Sequence, residues 1–162
     1  MAVWWNSGIA TETVFALPKF QNIYGQGNGG QLQDTLTYGE SWGAKMTGQS
    51  IVNHLGVPGT YSAQPNNVSD FFRSGISLNN SIGVTGGTDK MQTYFSYTNN
   101  KIEGIIPNNE LVRHTVNLRI TNQVSSRFST DAKITYVNQD IKNRPRTGEE
   151  NAPVIDIYNM AR

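Results

Sequence analysis

The sequence predicts an all-β protein: antiparallel up-and-down strands forming an open segment of a large transmembrane β-barrel. Three observations predict it. Apolar and polar residues alternate in runs of about ten, so each run has one greasy and one wet face. The connections between runs are alternately short and long, as in barrels that put tight turns on one side of a membrane and longer loops on the other. No stretch of about eighteen apolar residues is present, so a membrane-spanning helix is excluded, while barrel strands need only half their residues apolar.

The elements follow in order. A first strand is expected near 3–15, with Trp5, Ile9, Thr11, Thr13 and Phe15 on its greasy face, Asn6 and Glu12 opposite, and Trp4 and Val14 breaking the alternation. Residues 16–70 are rich in Gly, Gln, Asn, Ser and Pro and read as one long extracellular loop. A connection of that length marks function or disorder. Its aromatics Phe20, Tyr24, Tyr38, Trp42 and Tyr61 argue that it folds against something.

A second strand near 75–85 places Ile76, Leu78, Asn80, Ile82 and Val84 on one side and Ser77, Asn79, Ser81 and Gly83 on the other. After a Gly86–Gly87–Thr88–Asp89 turn, a third strand near 90–99 carries Met91, Thr93, Phe95 and Tyr97 on its greasy face. A medium connection runs from Asn99 to Glu110. The fourth strand, near 111–122, reads Val112, His114, Val116, Leu118, Ile120. A short turn near Asn122–Ser126 leads to the fifth, near 127–139, with Phe128, Thr130, Ala132, Ile134 and Tyr136 facing Ser129, Asp131, Lys133 and Thr135. Another loop spans Lys142 to Pro153. On the short-turn rule, strands one, three and five ascend and two and four descend. Phe15, Phe71, Phe72, Tyr97 and Tyr136 then fall near the ends read as extracellular, where aromatic rings gather at a membrane interface.

The 162 residues carry 13 basic and 12 acidic side chains and no cysteine. No basic stripe marks a nucleic-acid partner. Disulfides, zinc–thiolate sites and thiol catalysis are excluded. Met1-Ala2-Val3-Trp4-Trp5 runs straight into a strand pattern, and Val154 to Arg162 stops inside a new element, so a piece of a longer polypeptide is expected. No catalytic constellation is present, and the chain is not expected to be an enzyme or to hold a cofactor or metal. Gly25-Gln26-Gly27-Asn28-Gly29-Gly30 satisfies G-x-G-x-x-G, but without the strand–turn–helix context that phosphate binding requires. His54 and His114 lack a second ligand at metal spacing. Glu149-Glu150 reads as a solvated charge pair. The sequons at Asn67 and Asn79 are discounted, the second because it lies inside a strand.

Leu17-Pro18-Lys19-Phe20-Gln21-Asn22-Ile23-Tyr24-Gly25-Gln26-Gly27, followed by Ser41-Trp42-Gly43, resembles the region just after the plug in SusC/RagA-like TonB-dependent outer-membrane transporters. Asp70-Phe71-Phe72-Arg73-Ser74-Gly75, Ser96-Tyr97-Thr98-Asn99, Gly104-Ile105-Ile106-Pro107-Asn108-Asn109 and Ile141-Lys142-Asn143-Arg144-Pro145 continue the likeness in the family's order, over nearly all of the chain. The resemblance implies a barrel of about twenty-two strands with a plugged lumen, in the outer membrane of a Gram-negative bacterium, chiefly of the Bacteroidetes. It implies import of glycan fragments or peptides, a SusD-like surface lipoprotein as lid, and energy from TonB with ExbB and ExbD. The plug, the TonB box and most of the strands are not in this chain, so the fragment is not expected to transport alone.

On this reading Arg113, Arg119, Asp131 and Lys133 point into the lumen, where they can hydrogen-bond the plug or touch a polar substrate. Tyr24, Trp42 and Tyr61 are the candidate substrate or lid contacts of the long loop. The alternative reading is a secreted β-sandwich carbohydrate-binding module, its greasy face turned toward a second sheet. The gap at 16–70 breaks the 8–12-residue turn rhythm such a module expects. A soluble enzyme ranks last.

Overall fold

A computed structural model describes residues 1–27, 29–32, 42–52 and 56–144. Its elements are β1 (Ala2–Glu12), β2 (Gln49–Val52), β3 (Pro58–Tyr61), α1 (Asn67–Phe71), β4 (Gly75–Gly87), β5 (Met91–Glu103), β6 (Glu110–Ser125) and β7 (Phe128–Lys142). The chain divides into two units, one of residues 1–13 and 73–144, the other of 14–72 with 145–162.

The first unit is an antiparallel sheet of five strands in the order β1-β4-β5-β6-β7. The strands do not close among the described residues: β1 and β7 are its edges. Each strand was predicted, and the register joins their greasy faces. Residues directly opposite in an antiparallel pair share a face. Val3, Val84, Phe95, Leu118 and Ile134 stand in one row across the five strands. Trp5, Ile82, Tyr97, Val116 and Tyr136 form the next. Four parity sets read separately from the sequence thus fall on one side.

That side is uncovered. Ile82 is 44 %, Ile134 65 % and Trp5 71 % exposed. Leu118 is half-buried among its strand neighbours. Among the described residues, Tyr61 is the one buried hydrophobic side chain, and it belongs to the other unit. A water-soluble sheet buries one face in a core of many such residues.

The other face is polar. Ser81 and Thr98 hydroxyls lie 3.0 Å apart, Asn117 donates to Ser96 at 3.3 Å, and Thr135 donates to Asn117 at 2.8 Å. Trp4, the residue that broke the alternation of the first strand, lies on this face opposite Gly83. Its indole covers that glycine so closely that a Cβ there would meet ring atoms at 2.3–2.5 Å. The ring fills the place of the missing side chain, which reconciles Trp4 with a wet face.

The strand ends depart from expectation. The first strand stops at Glu12 rather than near 15, because Gly75 opposite Glu12 is the last partner β4 offers, and Phe15 projects fully exposed. The strands expected at 75–85, 90–99, 111–122 and 127–139 are longer, reaching Gly87, Glu103, Ser125 and Lys142. The added ends of β5 and β7 put Lys101, Glu103, Asp140 and Lys142 in line with the greasy face and Ile102 and Ile141 beside Leu111 on the other, so the alternation changes sign there while the hydrogen-bond ladder continues. The Gly86–Gly87 turn is likewise displaced. Gly87 still pairs with Gln92, and Thr88 closes the reversal, its N–H donating to the Met91 carbonyl at 2.7 Å. Short reversals lie at that end and at Ser126–Arg127. The other end carries the long 13–74 connection and the Gly104–Asn109 loop. Arg73 pins that loop, donating to the carbonyls of Gly104 (2.9 Å) and Asn109 (3.2 Å).

The 16–70 segment is not one uninterrupted loop. It contains the β2–β3 hairpin and α1. Residues 23–27 and 42–46 also form a ribbon, held by Gly25 N–H to Ala44 O (3.3 Å), Gly43 N–H to Gly25 O (3.0 Å), Trp42 N–H to Gly27 O (3.1 Å) and Met46 N–H to Ile23 O (2.9 Å).

Candidate functional site

Arg113, Arg119, Asp131 and Lys133 do share the polar face, as the parity required. They are not equivalent. Arg119 makes a two-pronged contact with Asp131, its Nε donating to Oδ1 at 2.9 Å. Arg113 donates to the Gln139 side-chain oxygen at 2.6 Å. Lys133 lies directly across from Arg119 and has no ion-pair partner among the described residues. Asp131 offsets a repulsion that two facing cations would otherwise suffer. Lys133 is therefore the side chain of the four whose charge is least committed within the sheet.

The loop aromatics separate into two kinds. Tyr24 and Trp42 sit on the ribbon with ring centroids 6.5 Å apart and planes inclined by 40°. They are 41 % and 62 % exposed. The Gln21 side chain clamps this turn, accepting from the N–H groups of Ile23 and Tyr24 and donating to the Tyr24 carbonyl at 2.6 Å.

Tyr61 is different. It is 2 % exposed and its hydroxyl donates to the Gln26 carbonyl at 2.9 Å. Gly25 and Gly43 give its ring room; a Cβ on either would approach it within 2.4–2.8 Å. The expectation that Tyr61 contacts substrate or lid is thus corrected: its ring is consumed as the keystone of the ribbon. Burial pushes its phenol above the ordinary value, the Gly25 backbone pulling weakly the other way. A raised folded value means the packed ring is stable below pH 10 and loses that contribution as pH climbs through the higher value.

Tyr61→Ala is expected to open this ribbon, at about 3–5 kcal/mol for an emptied aromatic site. Tyr61→Phe loses only the hydroxyl contact, about 1 kcal/mol. Amide hydrogen exchange at Gly25, Gly43 and Gly48 is the readout. Equal protection in wild type and Tyr61→Ala would refute the keystone role.

Sequence reasoning missed a cleft of about 350 Å³ in the same unit. Leu17, Pro18 and Phe20 form one wall, Pro65, Val68 and Ser69 the other. The walls lie some fifty residues apart in the chain, and the two prolines that bracket them were the available signal. His54, Asn28, Tyr38, Ser41 and Glu149-Glu150 lie outside the described residues.

The greasy face has a polar interruption. Ser7, Asn80, Asn99, His114 and Asn138 form one row across all five strands. Ser7 donates to Asn80 at 2.7 Å. His114 Nδ1 lies 2.8 Å from the Tyr97 hydroxyl and 3.3 Å from the Asn99 amide, with its ring stacked on Tyr97. Beyond the row, Lys101 pairs with Glu103 (2.9 Å), and Lys142 with Glu110 (3.4 Å). No protein-family model matches the chain, and no curated protein matches it.

Proposed function

We propose that this chain supplies the first barrel strands of an outer-membrane active transporter that imports glycan fragments or peptides with TonB-supplied energy. The observation that carries the reading is the alignment of five greasy strand faces into one uncovered surface, backed by a polar face. Hydrocarbon is the solvent in which such a surface costs nothing, and a lumen is where Arg113, Arg119, Asp131 and Lys133 cost nothing. The family resemblance supplies the transporter, its SusD-like lid and its TonB, ExbB and ExbD partners.

On β6, Val112 to Ile120 covers the nine to eleven residues, roughly, that a tilted membrane strand needs. The sandwich reading would instead seal Ile82 and Ile134 beneath a second sheet, and their exposure favours the membrane.

The test is flotation of the refolded chain with lipid vesicles, followed by polarised infrared spectroscopy of the oriented film. Tilted strands co-floating with lipid are expected. A chain that stays in the aqueous fraction overturns the proposal.

A further inference from the structure

The cleft of the 14–72 unit is lined by no residue of the ribbon and none of the five-stranded sheet. At about 350 Å³ it lies at the small end of the range that ligand pockets occupy. Its surface is mainly apolar: Leu17, Phe20 and Val68 are half-buried, and Pro18 and Pro65 complete the walls.

Both walls are held by contacts of their own. Each proline locks one backbone torsion. On the α1 side the Asn66 carbonyl accepts from the Ser69 hydroxyl at 2.7 Å and from the Asp70 N–H at 2.8 Å. The facing wall runs directly into the turn that Gln21 clamps. A ligand therefore finds both walls formed and has little ordering to offset.

The charge of the cleft is one-sided. Lys19 is the one ionisable side chain in its lining. Lys19 makes no ion pair among the described residues. Asp70, the one described carboxylate between residues 14 and 72, is not part of the lining. A neutral sugar would lay hydroxyls on apolar walls and leave the ammonium without a counter-charge. One ammonium balances a monoanion, and the second charge of a phosphate would go unanswered.

We propose that this cleft binds a small amphipathic carboxylate, its aliphatic or aromatic body between Phe20 and Val68 and its carboxylate on Lys19 Nζ. Two sources offer that chemistry: a free carboxylic acid, or the C-terminus of a peptide ending in an apolar residue. Every residue invoked lies in the 14–72 unit, so the inference goes beyond the membrane reading and does not depend on it.

The experiment titrates the full chain, refolded in a non-ionic detergent with isotope-labelled Leu and Val methyl groups, with isocaproate, N-acetyl-leucine and N-acetyl-leucinamide. Saturable NMR shifts of the Leu17 and Val68 methyls are expected with an acid. The amide should bind about fivefold more weakly, the scale of one exposed ion pair. N-acetyl-leucine binding better than isocaproate identifies the peptide end, and the reverse order the free acid. Lys19→Gln should bring the acid down to the level of the amide. Val68→Ala should weaken acid and amide alike. Lys45→Gln, a lysine of the ribbon outside the lining, should change neither. No saturation, equal affinity for acid and amide, or a preference that survives Lys19→Gln overturns the site. Flotation with lipid is unaffected by any of these results, so the membrane reading stands or falls separately.

Discussion

Leu118→Arg is expected to keep the sheet out of a bilayer, while Arg119→Leu lets it in. The two positions are adjacent and differ only in face. Leu118 stands in mid-row between Phe95 and Ile134, with Val116 and Ile120 on the same face of its own strand. A guanidinium there costs about 2–4 kcal/mol at mid-depth on a lipid-facing strand. It has no carboxylate to pair with, because Asp131 lies on the other side. Arg119→Leu removes the contact with Asp131, but both side chains are about half exposed, at 55 % and 49 %. An exposed pair of this kind is screened by solvent and contributes little. The freed Asp131 also remains on the face of Lys133. Urea unfolding of vesicle-reconstituted chain measures both costs. Similar losses in the two variants would reverse the assignment of faces.

That pair of residues illustrates what the sequence made legible. A period of two is enough to say that Leu118 and Arg119 look in opposite directions, and four of the five strands alternate cleanly. The first did not, since Trp4 sits beside Trp5. Its odd-position face was still read from Trp5 and Ile9, and the register agrees with that face and accounts for the exception, setting Trp4 over Gly83 and Trp5 beside Ile82. Strand ends were illegible for a related reason. At Lys101 to Glu103 the apolar residue, Ile102, pairs with Leu111 on the wet side, so the pattern that marks the greasy face stops there, yet backbone pairing does not depend on it. The loop was hardest. Tyr61 looks like any exposed loop aromatic in sequence, and its burial depends on Gly25 and Gly43, which are distant in the chain and give no periodic signal. The pairing of Arg119 with Asp131 was equally hidden, because the two lie on different strands and offset by one row, a relation that only the register of β6 on β7 defines.

Without lipid or detergent, the chain is expected to associate through its edges rather than persist as a monomer. β1 and β7 are exposed along their whole lengths. Among the described residues each leaves a row of backbone donors and acceptors without a strand beside it, the template on which another chain pairs. The greasy face adds to the drive, because joining sheets edge to edge extends a surface that then stacks away from water. In a bilayer the same edges cost several kcal/mol for each unsatisfied group, so copies of the reconstituted chain are expected to meet edge to edge there. Val137 offers a way to weaken association without touching the greasy face: it lies on the polar side of β7, opposite Thr115, and is 51 % exposed. Val137→Lys places a charge on the edge, where like charges on approaching copies repel. The concentration at which assemblies appear is expected to rise on the order of tenfold, or about 1.4 kcal/mol. Light scattering across a dilution series, with and without detergent, measures it. A monodisperse monomer in plain buffer that melts cooperatively would mean that the five strands carry a core of their own. The exposure of Ile82 and Ile134 would then need another explanation than lipid.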